Sequence, residues 1–279
     1  MPIRLAYEGD RVSISALCSE AFFDDDLFGR VMHPRRQEFP DDPAIYWHGH
    51  ILDLWCNWQN KVFVAVTQDE KSGKEVVVGV SVWQRQGEGG KRLTLSSIDP
   101  RKCQNIQNQH LAFWQYKMGT GVFLHFHSIH LIEFLPGNLA APLAKLTNHL
   151  FNTTNPNRAL DPSKIDIFRD SEKFFKHHWV GERQENWYLE LLAVDPEFQG
   201  KGFGRELVEW GIKQAESENV HASAISSDGN DTFYLKCGFD EVVGNATDGE
   251  GNPLGVAGVK GGSILFKYPR RETSKPESS

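Results

Sequence analysis

Apolar residues near the start of the chain predict a short strand followed by an amphipathic helix. Residues 3–7 alternate between apolar and polar side chains, as a strand with one buried face does. Asp10 is the predicted N-cap of the helix, because its carboxylate is suited to accept the unpaired N–H groups of a first helical turn. The apolar face of that helix consists of Ile14, Leu17, Cys18, Ala21 and Phe22.

The following segments predict a second helix and a hairpin. An acidic and Pro/Arg-rich connection runs to Pro40, and the aromatic-rich residues 43–58 form the predicted helix. Two segments rich in valine, 62–66 and 75–83, are separated by a turn that contains Gly73. We therefore expect them to pair as antiparallel strands.

Residues 87–186 carry a weaker pattern. Glycines at 87, 89 and 90 interrupt the strand pattern, and a structureless loop of such length inside a compact domain is implausible. Several apolar residues then recur at helical spacing, strictly in the first group and more loosely in the second. They are Leu139, Leu143, Leu146 and Leu150, then Phe168, Phe175 and Trp179. This stretch is interpreted as a mostly helical insertion packed on the main domain.

From residue 187 the pattern becomes sharp. Residues 187–194 form a nearly continuous apolar run, as expected of a central strand buried on both faces. Asp195 and Pro196 end the run, and a glycine-rich segment, 199–204, connects it to an amphipathic helix. The apolar face of that helix consists of Phe203, Leu207, Val208, Gly211, Ile212 and Ala215.

The remaining chain predicts shorter elements. Its last residues, 269–279, have a disordered composition, and residues 244–262 hold seven glycines and predict a long loop. The other predicted elements are a strand over 221–227, a helix over 231–236 with Gly238 as C-cap, and strands over 239–243 and 263–268.

Composition and charge narrow the classes of function. A net charge of −7 without a basic stripe argues against nucleic acid as a partner. The four cysteines have no C-x-x-C spacing, which favours a reducing compartment over a disulfide framework. No apolar run approaches the ~18 residues of a membrane span. We expect a cytoplasmic protein with no membrane partner.

The glycine-rich segment predicts an anion-binding loop. It matches neither a P-loop nor the dinucleotide fingerprint G-x-G-x-x-G, but it fits the pattern Q-x-x-G-x-G through Gln199, Gly202 and Gly204. Such a loop stands at a helix N-terminus, where unpaired N–H groups and the positive dipole end favour a phosphate. A strand–helix turn that holds no ligand is the alternative for this pattern alone.

Two ordered motifs resemble the GNAT superfamily of N-acetyltransferases. Residues 188–204 (YLELLAVDPEFQGKGFG) look like the family's fourth strand and CoA-binding loop, and residues 233–239 (FYLKCGF) look like its Y-x-x-x-G-F segment. The resemblance is specific over 187–243, is weaker over 1–86 and fails over 87–186. Longer members of the family, many of them fungal, carry additional residues at a similar place.

The resemblance implies an α+β fold: a mixed, mostly antiparallel central sheet flanked by helices, with a helical insertion. Residues 1–268 then form one acetyltransferase domain. Within it, 87–186 are the insertion or lid and 187–243 the acetyl-CoA-binding core, while 269–279 form the tail.

The resemblance also implies which residues bind acetyl-CoA. Backbone groups of Leu192, Ala193 and Val194 would pair with the pantetheine arm like an added strand. The loop would hold the pyrophosphate; its candidate residues are Gln199, Gly200, Lys201, Gly202, Phe203, Gly204 and Arg205. Ser227 stands where the family often has asparagine, which puts that polar contact in doubt.

Acetyl transfer to an amine needs a base for the ammonium proton and an acid for the leaving thiolate. Glu190 is the candidate base, because a carboxylate in an apolar strand is desolvated and its pKa rises towards neutrality. An ion pair with a structural arginine is the alternative role, and Tyr188 or a histidine is an alternative base. Tyr234 is the candidate acid, with packing in the core as its alternative role.

The remaining polar groups predict no metal site. Histidines at 125, 127 and 130 lack the spacing and cysteines of a zinc site, and His177 and His178 are expected to be exposed or hydrogen-bonded. The acidic run 24–26 either steers a cationic amine or forms a turn or helix cap.

We expect an acetyl-CoA-dependent N-acetyltransferase that acts on a primary amine of a small molecule by direct attack in a ternary complex. A protein or peptide N-acetyltransferase and a non-catalytic CoA-binding module are the alternatives. The sequence leaves the acceptor and the oligomeric state open.

Overall fold

The computed structural model of the chain describes residues 3–95 and 137–270. In them, one seven-stranded sheet carries all the strands. The strands are β1 (Ile3–Leu5), β2 (Asn60–Gln68), β3 (Glu75–Arg85), β4 (Asn186–Val194), β5 (His221–Ser226), β6 (Glu241–Asn245) and β7 (Ser263–Lys267). Their spatial order is β1-β2-β3-β4-β5-β7-β6. The predicted hairpin is β2–β3, and the predicted central strand is β4.

Helices connect the strands. They are α1 (Arg11–Ala21), α2 (Pro43–Cys56), α3 (Gly87–Leu95), α4 (Gly137–Thr154), α5 (Ile167–Phe175), α6 (Phe203–Glu218), α7 (Asp231–Cys237) and α8 (Pro253–Val256). None of the helices in the described ranges is long and apolar enough to cross a membrane.

The sheet is mixed, because one pair of neighbouring strands is parallel and the others are antiparallel. The parallel pair is β4–β5, which joins the two halves of the sheet. This confirms the expected α+β fold with a mostly antiparallel sheet flanked by helices.

Helices cover both faces of the sheet. On one face, Val80 and Leu191 pack with the apolar sides of α1 and α2. On the other face, Leu189 packs with Val208 and Ile212 of α6. All six residues of the predicted apolar face of α6 are buried, so the periodicity of that segment correctly identified its inner face.

The glycines at 87, 89 and 90 follow the end of β3 at Arg85, where the strand pattern was predicted to stop, and they lie in helix α3. A side chain at Gly90 would meet the Arg85 carbonyl oxygen at 1.9 Å, and one at Gly87 would meet the Glu185 carboxylate at 2.3 Å. The Glu185 carboxylate also accepts the backbone N–H of Glu88, which caps the helix start. Gly87 therefore packs closely against Glu185, which is distant in sequence, and Gly90 packs against the backbone of Arg85 just before the helix.

The acidic residues near the first two helices have structural roles. Asp10 precedes α1, but its carboxylate binds Arg4 and the N–H of Tyr7 instead of capping the helix. A π-helix, Asp26–Met32, occupies part of the predicted connection, and Asp25 caps it by accepting the N–H groups of Leu27 and Phe28. The turn or cap interpretation of 24–26 therefore fits this segment.

Two boundaries near the chain end differ from expectation. Strand β6 begins two residues after Phe239, whose side chain is buried under α7. The predicted loop 244–262 includes the short helix α8, because the buried Asn252 caps its first turn and donates to the Ala246 carbonyl.

Helix α4 packs through a face other than its leucine stripe. Ala144, Asn148 and Phe151 are buried, whereas the predicted stripe Leu139–Leu150 is 36–59% exposed at its four leucines. The Asn148 amide reaches the Gly49 carbonyl at 2.9 Å and the Asp53 carboxylate at 3.0 Å, both on α2. The interpretation of 87–186 as a lid stays a prediction. Cys103, the histidines at 125, 127 and 130, and the tail from 271 lie outside the described residues.

Candidate active site

Strands β4 and β5 diverge at the centre of the sheet. Their parallel register ends at the pair Leu189 and Ala224, although β4 continues to Val194 and β5 to Ser226. Residues 191–194 therefore pair with β3 on one side only. The backbone of the predicted pantetheine-binding residues 192–194 lies in this one-sided part of β4.

The glycine loop follows β4 directly and leads into α6. Gly200 and Gly202 have φ values of +72° and +91°, which L side chains rarely adopt. The first backbone hydrogen bond of α6 is donated by the N–H of Glu206 to the Gly202 carbonyl, at 3.2 Å. The N–H groups of residues 203–205 therefore form the unpaired first turn of α6, which favours an anion.

The charged side chains of the loop have partners within the protein. The Lys201 ammonium lies 4.5 Å from the centre of the Phe198 ring, and Arg205 reaches the Lys236 carbonyl at 3.1 Å. The Phe203 side chain is buried in the core. The Gln199 amide donates to the Val194 carbonyl at 3.2 Å and so ties the loop to the end of β4. The backbone is thus the part of the loop that is available to a ligand.

Ser227 follows β5 at the same end of the sheet. It is exposed, and the β6–β7 loop packs against its backbone, because a side chain at Gly261 would lie 2.7 Å from the Ser227 carbonyl carbon. The Gly262 N–H reinforces this contact by donating to Ser226 at 2.8 Å.

Glu190 occupies a β-bulge where β4 leaves β5. On β3, Val82 pairs with Leu191 and the next residue, Trp83, pairs with Leu189, so that Glu190 has no partner opposite. A bulge bends a strand and redirects the side chain of the extra residue. The bulge therefore allows a carboxylate to project from an otherwise apolar strand.

The surroundings of Glu190 favour its protonated form. Its side chain is mostly buried, and no lysine or arginine of the described ranges forms an ion pair with it. Burial raises the pKa of Glu190 to about 7, and the negative charge of Glu172 on α5 adds to the rise. The described residues thus offer no structural arginine for this carboxylate, and it titrates in the range useful for a general base.

Tyr234 is buried on α7, with its ring between Phe233 and Phe239. Gly238, in a left-handed conformation with φ of 112°, ends this helix as predicted. Burial raises the pKa of Tyr234, so its hydroxyl stays protonated at neutral pH. Tyr188 is within electrostatic range of both Glu190 and Tyr234, since both charges raise its pKa after the larger effect of burial. The three side chains therefore share one region.

The family comparison agrees with this geometry. The model of the acetyltransferase (GNAT) family matches residues 169–239, which run from α5 through the bulge and the glycine loop to the end of α7. This segment is similar to a GNAT acetyltransferase domain. The search of curated proteins finds no match.

Solved structures similar to the whole chain are distant in sequence. One is described as histone acetyltransferase HPA2 and related acetyltransferase from Corynebacterium glutamicum, with 16% identity, a TM-score of 0.47 and 98% coverage of each chain. Another is a GNAT family acetyltransferase from Brucella melitensis in complex with acetyl-CoA, with 13% identity, a TM-score of 0.34, and 86% and 82% coverage of this and that chain. A third is the PaiA N-acetyltransferase from Thermoplasma acidophilum in complex with coenzyme A, with 11% identity, a TM-score of 0.41, and 96% and 98% coverage.

Two aromatic residues near Glu190 were not predicted from sequence. Tyr46 on α2 interacts electrostatically with Glu190, and its ring stacks on His50 with centroids 5.4 Å apart. Burial lowers the pKa of His50 to about 4, so this imidazole is neutral at physiological pH. Their spacing of four residues, which places both rings on one face of α2, was the available indication.

Trp179 also lies near this part of the sheet. Its ring meets Tyr188 edge to face at 5.9 Å, and its indole N–H donates to Ser223 at 2.9 Å. Ser223 in turn donates to Asn186 at 2.7 Å, which joins β5 to β4 just before the strands diverge.

The described histidines and acidic residues form no group that could hold a metal ion. His177 and His178 lie together with ring centroids 4.2 Å apart.

Proposed function

We propose that the chain is an acetyl-CoA-dependent N-acetyltransferase that acetylates a primary amine of a small molecule. The observation that carries the proposal is the position of Glu190, at the bulge where β4 and β5 diverge. Its carboxylate is mostly buried and has no cationic partner among residues 3–95 and 137–270. The glycine loop begins at Gln199, five residues after β4 ends at Val194. The proposed base and the proposed anion site therefore follow each other along the chain.

The residues present fit acetyl-CoA. The unpaired N–H groups at the start of α6 suit a pyrophosphate, and Gly200 and Gly202 have the backbone conformation that this close approach needs. The one-sided segment 192–194 of β4 has backbone groups suited to the pantetheine amides. Gln199 ties the loop to β4, and Ser227 stands at the end of β5. Acetyl-CoA would supply the acetyl group as a thioester.

Glu190 is proposed to act as the general base. In its carboxylate form it accepts a proton from the acceptor ammonium, directly or through water, and leaves a neutral amine able to attack. Tyr234 is proposed to act as the general acid. Its hydroxyl donates a proton to the sulfur as the C–S bond breaks, and the raised pKa keeps that proton available.

A bridge between two distant segments supports a small acceptor over a peptide. The π-helix Asp26–Met32 contacts α2 through Phe28 and Tyr46, and the β6–β7 loop contacts Ser227. Arg30 donates to the Gly258 carbonyl at 2.7 Å, and Asp26 accepts the Lys260 N–H at 2.6 Å. This bridge joins the two segments that border the region of Glu190 and Ser227, which suits an enclosed pocket rather than an open trough.

The test is an assay of acetyl transfer to a panel of small amines and to lysine peptides. The release of free thiol from acetyl-CoA is the quantity measured. We expect turnover of at least one small amine, no turnover of the peptides, and a loss of about 10²–10⁴-fold in kcat/KM for Glu190→Gln. A smaller loss is expected for Tyr234→Phe. Equal turnover by wild type and Glu190→Gln would refute the assigned base. Faster turnover of peptides would refute the assigned acceptor class.

A further inference from the structure

Helix α6 lies unusually close to the sheet at one point, where Trp83 of β3 passes beneath Gly211. The indole is fully buried, and a side chain at Gly211 would lie 2.1 Å from its Cε2 atom. Any residue other than glycine would force the helix and the indole apart. Gly79 on the same strand has a similar relation to Leu207, whose Cδ1 would be 3.1 Å from an added side chain.

A hydrogen bond fixes the helix at this point. The Trp83 indole N–H donates to the Leu207 carbonyl at 3.2 Å. Leu207 is four residues after Phe203, where α6 begins, which corresponds to about 6 Å along the helix axis. The anchor therefore lies about one turn from the unpaired N–H groups of the glycine loop.

A different tryptophan anchors the other end of α6. Trp187 on β4 is also buried, and its indole N–H donates to the Glu218 carboxylate at 3.1 Å. Glu218 is the last residue of the helix. Both tryptophans donate an indole N–H to one helix, Trp83 to a backbone carbonyl near its start and Trp187 to a side-chain carboxylate at its end. Trp187 is therefore a control for the loss of a buried indole N–H far from the glycine loop.

We propose that Trp83 is a positioning residue that holds the phosphate-binding end of α6 against the sheet. This inference rests on the proposed acetyl-CoA binding. Trp83 acts through the helix and does not touch the cosubstrate. Its role follows from the hydrogen bond that its indole N–H donates to the Leu207 carbonyl and from the close fit of the indole under Gly211. An anion site made of backbone N–H groups depends on the placement of those groups, so a small shift of the first turn weakens binding.

The test compares Trp83→Phe with Trp187→Phe. Both substitutions remove an indole N–H and keep an aromatic ring, while the backbone of Trp83 stays in its pairing with Leu189. We expect the Kd for acetyl-CoA to rise about threefold to tenfold in Trp83→Phe, which is the effect of one weakened hydrogen bond between the displaced first turn and the phosphate, and less than twofold in Trp187→Phe. The KM for the amine should stay within twofold of wild type in both.

Hydrogen exchange in the absence of acetyl-CoA gives an independent measurement. We expect faster exchange at amides 206–211 in Trp83→Phe and at amides 215–218 in Trp187→Phe. A Gly211→Ala variant, which forces the helix and the indole apart, should reproduce the exchange pattern of Trp83→Phe and exceed its loss of affinity.

The outcomes separate this inference from the proposed function. Wild-type binding with equal Kd values for the two variants, or an increase in exchange spread evenly over α6, would overturn the role of Trp83. No binding by wild type would overturn the proposed function, and this role with it, even if the exchange pattern is as expected.

Discussion

Glu190 shows how a single residue can place a carboxylate in the middle of a sheet. The bulge removes its partner on β3, and the divergence of β5 leaves the other edge of β4 unpaired after Leu189. Two apolar strands would otherwise exclude a charged group, because desolvation without a partner is costly. The carboxylate is accommodated as a group that is largely protonated below neutral pH.

The pKa of Glu190 predicts how activity depends on pH. A base must be deprotonated, so kcat/KM should rise with pH through about 7 and level off above it. The measurement is a pH–rate profile of acetyl transfer in wild type and in Glu190→Gln. The variant should lose the limb near pH 7, and a limb that persists in the variant would assign the base to another group.

The same shift predicts a change in stability. The folded-state pKa of Glu190 is raised from 4.5 to about 7, so the folded protein binds more protons than the unfolded chain between these pH values. The contribution of Glu190 to the free energy of unfolding is therefore lost as the pH rises from 4.5 to about 7. Replacing the carboxyl with the neutral amide in Glu190→Gln should stabilise the protein at pH 8 by about 1–3 kcal/mol and have little effect near pH 4. Urea unfolding at both pH values checks this. A Glu190→Gln variant that is less stable than wild type at pH 8 would show that the carboxylate is favourably paired.

At the scale of elements, the strain of a left-handed glycine in the loop can be measured separately from its proposed role in binding, because a second glycine has the same conformation elsewhere. Gly200 in the loop and Gly73 in the β2–β3 turn have nearly equal φ values, +72° and +66°, and neither has an atom within 4 Å of an added side chain. Alanine at either position therefore introduces similar strain of about 1–2 kcal/mol.

This pair predicts a selective effect on binding. Gly200→Ala and Gly73→Ala should lower the Tm by similar amounts. Only Gly200→Ala should weaken the binding of acetyl-CoA, because only the backbone at residue 200 faces the proposed pyrophosphate site. Thermal unfolding and calorimetric titration of the two variants give both quantities. Equal acetyl-CoA affinity in the two variants would argue against a pyrophosphate at this loop.

Elements with a strong local pattern could be predicted from the sequence, and elements that depend on distant contacts could not. The inner face of α6 and the cap at Gly238 follow from periodicity and from the backbone freedom of glycine. The bounds of helix α3 could not be predicted, because its first turn depends on Glu185, which lies 97 positions after Glu88. For the site, the motif located Glu190 and the loop, but the bulge is a property of strand register, which no single segment reveals.

At the scale of the whole molecule, the bridge between the π-helix and the β6–β7 loop joins residues more than 200 positions apart. Arg30 contributes both its ion pair with Asp26 and its bond to Gly258. Its side chain is partly exposed, so the bridge itself adds little to the free energy of unfolding. Its proposed effect is on the geometry of the acceptor side.

Arg30→Ala should therefore raise the KM for the small amine severalfold and leave the KM for acetyl-CoA unchanged. Arg169→Ala is the control, since Arg169 is also exposed and forms a local ion pair with Asp166. Steady-state kinetics with each substrate varied in turn separates the two KM values. Equal amine KM values for the two variants would show that the bridge does not shape the acceptor side.

The most direct test of the account is calorimetric titration of the protein with acetyl-CoA, for wild type and for Gly202→Trp. We expect one acetyl-CoA bound per chain of wild type and no detectable binding by Gly202→Trp, because an indole side chain at the N-cap of α6 would fill the proposed pyrophosphate site. The far-UV circular dichroism of the variant should match that of wild type. Absence of wild-type binding at high micromolar acetyl-CoA, or equal binding by the two proteins, would contradict the account.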